Sequence, residues 1–128
     1  MSDAVVLDAS AVLALLARER GWEVVRDALP AAAISTVNLA EVAGKLIERG
    51  GDVQEVTEVL DLGIERVPFD AGMAFAAAQI KRVVGARGLS LGDRCCLATA
   101  WCLARPVLTA DTSWTRIALA GVEVRLVR

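Results

Sequence analysis

Four acidic residues stand where a chain could put them to chemical use. Asp8 ends the apolar run Ala4-Val5-Val6-Leu7, and Asp111 follows a second such run, Val107 to Ala110. Asp93 lies three residues after Ser90, at the opening of a strongly apolar stretch, and Glu41 sits in STVNLAEV. The chain carries 14 Lys and Arg, 16 Asp and Glu and no histidine. Without imidazole, most nucleophilic triads and histidine-based acid–base catalysis are excluded, which leaves carboxylates, hydroxyls, Lys and Arg. Carboxylate oxygens suit Mg²⁺ or Mn²⁺. Such an ion lowers the pKa of a bound water, orients it toward a phosphodiester and neutralises charge on the leaving oxygen. A net charge of −2 gives no general attraction to nucleic acid, so phosphate binding would rest on a bound cation and on local basic groups. Lys45, Arg49, Lys81, Arg82, Arg87 and Arg94 are the candidate backbone contacts, although each also reads as an ordinary solvated charge.

Taken singly, every acid also has a structural reading. Asp8 and Asp111 suit helix N-caps, and Asp93 suits the reciprocal half of a capping box with Ser90. Glu41 falls nearly opposite the apolar stripe of Leu39, Val42, Ala43, Leu46 and Ile47, with Lys45 four residues on, so pattern alone makes it a solvated, salt-bridged side chain. Taken together, carboxylates gathered at one edge would repel one another, a cost that a hard divalent cation reverses.

The elements that must position these groups are legible from apolar period and punctuation. Short apolar runs at 4–7, 32–34, 64–69, 107–109 and 122–127 read as strands. Between them lie helical patterns. Ser10 caps one from Ala11 to Glu19, and Trp22 to Leu29 follows, stopped by Pro30. Ser35 or Thr36 caps a third, running to about Glu48, and Asp52 to Leu62 forms a fourth. Asp70 opens an alanine-rich helix ending near Gly85 to Gly88, and Ser90 opens the apolar helix that stops at Arg105-Pro106. A short helix at Thr112 to Leu119 precedes the last strand.

Strands alternating with helices imply one domain over residues 1–128, an α/β/α sandwich around a five-stranded, mostly parallel sheet of order 3-2-1-4-5. In such a sheet ligands bind outside the carboxyl ends of the strands, where neighbouring Asp8 and Asp111 would meet. The apolar helix near residues 95–104 must be buried, with Cys95, Cys96 and Cys102 as reduced thiols, and the three tryptophans fill the core. No apolar run reaches the ~18 residues that span a membrane, and no basic region precedes the first strand, so a cytoplasmic location is expected.

VVLDASAVLALL, STVNLAEV, LSLGDRCCLATA and VLTADTSW, in that order, resemble the successive motifs of the PIN domain, and most closely those of VapC ribonuclease toxins from bacterial toxin–antitoxin modules. The resemblance covers essentially the whole chain. It implies that Asp8, Glu41, Asp93 and Asp111 form the acidic metal site, with Ser10 and Thr109 or Thr112 as hydroxyl support and Asn38 as a further supporting group. It also implies an RNA substrate, a homodimer and a VapB-like antitoxin, the last two held on the amphipathic helices at 11–29 and 52–62. Two alternatives stay within the same fold, a PIN-like RNA-processing nuclease that is not a toxin and a non-catalytic binding module. A receiver-type phosphoacceptor domain fits poorly, because Lys45 and Lys81 are the only lysines and neither lies near the last strand. A P-loop enzyme is excluded for want of the Gly-rich lysine motif.

Overall fold

The computed structural model describes residues 3–128. Five strands, β1 (Val5–Leu7), β2 (Ala32–Ser35), β3 (Glu65–Val67), β4 (Val107–Thr109) and β5 (Val124–Leu126), form one sheet of order β3-β2-β1-β4-β5. Every pairing is parallel, with Val6 opposite Ala33 on one side and Val107 on the other. The central strand is thus the first in the chain. The expected sheet order holds, and "mostly parallel" becomes wholly parallel. The outer strands, three residues each, are shorter than the apolar runs at 64–69 and 122–127 implied.

Side chains of β1 alternate between two cores, as a fully covered parallel strand requires. Val5 and Leu7 pack with Val12, Val25, Ile34, Val42 and Leu108 beneath α1 (Ala9–Ala17), α2 (Trp22–Ala28), α3 (Thr36–Glu48) and α4 (Val53–Leu60). Val6 faces the other way, into a core of Ala77, Ile80, Cys96, Leu97, Val107 and Trp114 under α5 (Ala71–Ile80) and α6 (Leu91–Leu103). Among the described residues no helix is long and apolar enough to cross a membrane.

Several local expectations need correction. Asp8, not Ser10, caps α1, because its carboxylate accepts from the Ala11 amide at 2.9 Å and the helix starts at Ala9. The alanine-rich helix stops at Ile80, well before Gly85. Arg82 and Val83 donate to the carbonyls of Gln79 and Ile80 in tight turns, and the chain then leaves the helix so that Val84 can bridge to Ala118. Gly85 is needed there: its φ is +81°, and a Cβ would overlap the Arg116 carbonyl. The segment after Asp111 is a 3-10 helix at Thr112–Arg116 and does not reach Leu119. Helix α6 is buried at Gly92 and from Cys95 to Ala100; Trp101 and Cys102 lie on the surface, so one of the three thiols is exposed. Of the tryptophans, Trp114 alone fills the core. Trp22 is half-buried between the guanidinium groups of Arg18 and Arg26, each about 5 Å from its ring.

Helix α6 ends with Ala104 in the left-handed region, at φ 54°. A residue with a Cβ is disfavoured there by roughly 1 kcal/mol relative to glycine, and Ala104 is exposed. Ala104→Gly is therefore expected to raise stability by about 0.5 to 1 kcal/mol in urea unfolding. A loss of stability would show that the cap is held by contacts of the Ala104 methyl.

Candidate acidic centre

The centre is built around Asp8, which β1 delivers at its carboxyl end. Its side chain is 4% exposed and takes four protein hydrogen bonds. Ala11 N donates at 2.9 Å, Ser10 Oγ reaches both carboxylate oxygens at 2.8 and 2.9 Å, and Thr109 Oγ1 donates to Oδ2 at 2.6 Å. Burial pushes the Asp8 pKa up to about 6, the hydrogen bonds from Thr109, Ala11 and Ser10 hold it back, and the charge of Asp93 adds to the rise.

Thr109 joins β4 to this group. Its hydroxyl accepts from Asp111 N at 3.0 Å while donating to Asp8, and Ser10 Oγ in turn accepts from Ala110 N at 3.0 Å. The hydroxyl support beside Asp8 is therefore Ser10 and Thr109. Thr112 is exposed within the 3-10 helix, and among the described residues its hydroxyl makes no hydrogen bond. Asp111 caps that helix, its Oδ1 accepting from Ser113 N at 3.0 Å and Ser113 Oγ at 2.7 Å.

Asp93 forms the capping box that its spacing predicts. Ser90 Oγ accepts from Asp93 N at 3.1 Å, and Asp93 Oδ2 accepts from Ser90 N at 3.2 Å. This bond occupies one carboxylate oxygen and leaves Oδ1 without a hydrogen bond among the described residues. Glu41 corrects the reading from periodicity: it is half-buried, and its Oε1 accepts from Asn38 Nδ2 at 2.7 Å. The start of α6 packs on this face of α3, covering what the helical pattern of α3 alone would leave to solvent. Lys45 pairs instead with Glu48 at 3.5 Å, on an exposed face.

Asp8, Glu41 and Asp93 all raise the pKa of the buried Cys96 thiol, after the larger effect of burial itself. Three carboxylates therefore bear on one point at the start of α6, and Asp111 is tied to them through Thr109. Among the described residues none of the four takes part in an ion pair. Nor do three acidic or thiol side chains, among those residues, close tightly enough to encircle an ion by themselves. Hard oxygen donors, a buried carboxylate without a cationic partner and room left for water or substrate oxygens are the donor chemistry that suits Mg²⁺ or Mn²⁺, ions that retain several waters.

The PIN-domain family profile matches residues 5–119. The chain belongs to the PIN-domain family. No curated protein is significantly similar to it in sequence. The PIN fold is also that of several solved toxin–antitoxin structures. A toxin–antitoxin complex from Klebsiella pneumoniae is 19% identical with a TM-score of 0.73, over 93% of this chain and 95% of that one. VapBC2 from Rickettsia felis, bound to a DNA fragment from its promoter, is 15% identical with a TM-score of 0.73, over 96% and 98%. VapBC-5 from Mycobacterium tuberculosis is 23% identical with a TM-score of 0.64, over 95% and 97%. At these identities the similarity is one of fold, and this PIN domain shares it along nearly its whole length.

The basic candidates separate in space. Lys81 and Arg94 flank one apolar groove with Val37, Phe69, Leu91 and Cys95, next to the start of α6. Arg82 and Arg87 lie on the connection that leads into the Ser90 cap. Arg49 lines a different groove of about 400 Å³, between α1, α3 and α4. Arg116 was not among the candidates, yet the Gly85 contact carries it against this same connection, and its guanidinium lies beside Gly88. Sequence spacing gave no sign of that proximity, which depends on the bridge between Val84 and Ala118.

Proposed function

We propose that this PIN domain is a Mg²⁺- or Mn²⁺-dependent endoribonuclease that hydrolyses RNA phosphodiester bonds, and that it is the toxin of a VapBC-type module. The observation that carries the reading is Asp8, a buried carboxylate held by three neighbouring donors and facing the charge of Asp93, with no ion pair to balance it among the described residues. Asp8, Glu41 and Asp93 would hold the ion, with Asp111 completing the site. When bound, the ion would activate water and neutralise the leaving oxygen.

The remaining work falls to the chain. Ser10 and Thr109 fix the direction of both Asp8 oxygens, and burial keeps bulk water from screening them. Asp93 directs one oxygen to Ser90 N and keeps the other for the site. Lys81, Arg82, Arg87 and Arg94 lie on the side of the molecule from which α6 starts, where the phosphate backbone of RNA would lie. Lys45 and Arg49 contribute less to that surface, since one pairs with Glu48 and the other lines the groove between α1, α3 and α4. That groove, walled by Leu13, Leu16, Ala17 and Leu46, suits the amphipathic segment of a VapB-like antitoxin, and the solved structures that share this fold include toxin–antitoxin complexes. A homodimer and a cytoplasmic location belong to the same reading.

Incubation of the purified protein with RNA and Mn²⁺ should give fragments ending in 5′-phosphate and 3′-hydroxyl, abolished by excess EDTA. Asp93→Asn should cleave by orders of magnitude less while melting in EDTA no lower than the parent, because removing one charge relieves repulsion among the carboxylates. Cleavage that survives EDTA, or products carrying 2′,3′-cyclic phosphate, would overturn the assignment.

A further inference from the structure

Glu41 is held by two residues rather than one. Asn38, only 1% exposed, directs its Nδ2 to Glu41 Oε1 at 2.7 Å and to the Gly92 carbonyl at 3.0 Å. Both partners are acceptors, so the orientation of the amide is fixed, and its Oδ1 is buried without a hydrogen bond. Asn38 therefore accepts an unsatisfied oxygen in order to tie α3 to the first turn of α6. The Glu41 carboxyl group rests directly on Gly92: a Cβ there would overlap all three of its atoms. Nothing in the backbone demands glycine at this position, which lies inside α6 without a left-handed φ.

We propose that Gly92 is a positioning residue whose missing side chain, together with the Asn38 amide, seats the Glu41 carboxylate against α6 so that Oε1 is occupied by Asn38 and Oε2 is left for the cation. The inference rests on the metal-centre reading above and adds to it a requirement at a residue that bears no chemical group. The obstacle created by a Cβ would be the far end of a flexible side chain, so Glu41 would swing away and the fold would survive. Alanine is also the better helix former.

Gly92→Ala gives opposite signs for fold and site. In EDTA its melting temperature should equal or exceed that of the parent, whereas its Mn²⁺ affinity, read from the metal-induced rise in melting temperature, should fall by about 10- to 100-fold. In a Glu41→Gln background the same change should cause no further loss of affinity, since Gly92 acts only through Glu41. Asn38→Leu, which keeps the volume and removes the donor, should lower affinity in the same range. A readout independent of metal is the side-chain amide signal of Asn38 by NMR in EDTA, which should shift in Gly92→Ala as it does in Glu41→Gln. If the parent shows no response to Mn²⁺, the metal reading fails while the amide signal still decides the seating of Glu41. Parent-like amide signals and parent-like Mn²⁺ affinity in Gly92→Ala would overturn the proposal, as would an equal loss with and without Glu41.

Discussion

Asp8→Asn is expected to abolish cleavage, by at least roughly a hundredfold, and in EDTA to leave the protein at least as stable as the parent near neutral pH. Asparagine caps a helix about as well as aspartate, so the bond from Ala11 N survives. What disappears is a buried charge. Folded Asp8 binds its proton more tightly, at about 6, than the unfolded chain does, near 3.8, so protonation favours the folded state. The destabilisation by ionised Asp8 is fully present above its folded pKa and is relieved as pH falls from about 6 to about 4. Converted at 1.36 kcal/mol per unit, this amounts to roughly 3 kcal/mol at most, with about half of it gone near pH 5. Urea unfolding of both proteins in EDTA should thus show the advantage of Asp8→Asn shrinking between about pH 7.5 and about pH 5. A constant difference across that range would mean that Asp8 ionises in the fold as it does in water.

The largest expected loss of stability comes from Trp114→Ala. Trp114 is 1% exposed, packs with Val6, Ile80, Leu97 and Val107 in the core beneath α5 and α6, and anchors the 3-10 helix that Asp111 caps. Emptying that volume should cost about 3 to 5 kcal/mol, a large share of the ~5 to 15 kcal/mol that holds a domain of this size together. Trp114→Phe should cost less than about 2 kcal/mol, because it keeps a ring and removes an indole N–H that is buried without an acceptor. Unfolding curves showing the two variants equally damaged would assign the stability to the indole nitrogen rather than to packing.

The sheet order and the acids at the strand ends were legible in the sequence because they depend on local signals: short apolar runs, an aspartate at each carboxyl end and a Ser-x-x-Asp spacing. The capping reading of Asp93 holds, and because the cap uses only Oδ2 it leaves the proposed role at the centre to the other oxygen of the same carboxylate. What local signals missed was made by contacts distant in sequence. Glu41 looked solvated because helical periodicity describes α3 by itself, whereas α6 covers that face through Gly92. The apolar helix looked buried throughout, yet near its C-terminal end α6 exposes Trp101 and Cys102. The choice between Thr109 and Thr112 likewise needed the fold, which turns one hydroxyl toward Asp8 and places the other at the surface.

The hydrogen bond from Thr109 to Asp8 spans 101 residues of sequence. Because β1 is the middle of the sheet and takes β4 as one neighbour, the first strand made must wait for one of the last before its carboxylate is enclosed. Such a pairing comes late in folding, since a long loop has to close before the contact repays it. During synthesis, α1 through α5 emerge with Asp8 still open to water and without the Thr109 hydroxyl that orients it. The acidic centre is therefore assembled by the same step that completes the sheet, and a partly made or truncated chain ending before β4 carries Asp8, Glu41 and Asp93 but neither Asp111 nor the geometry of the centre.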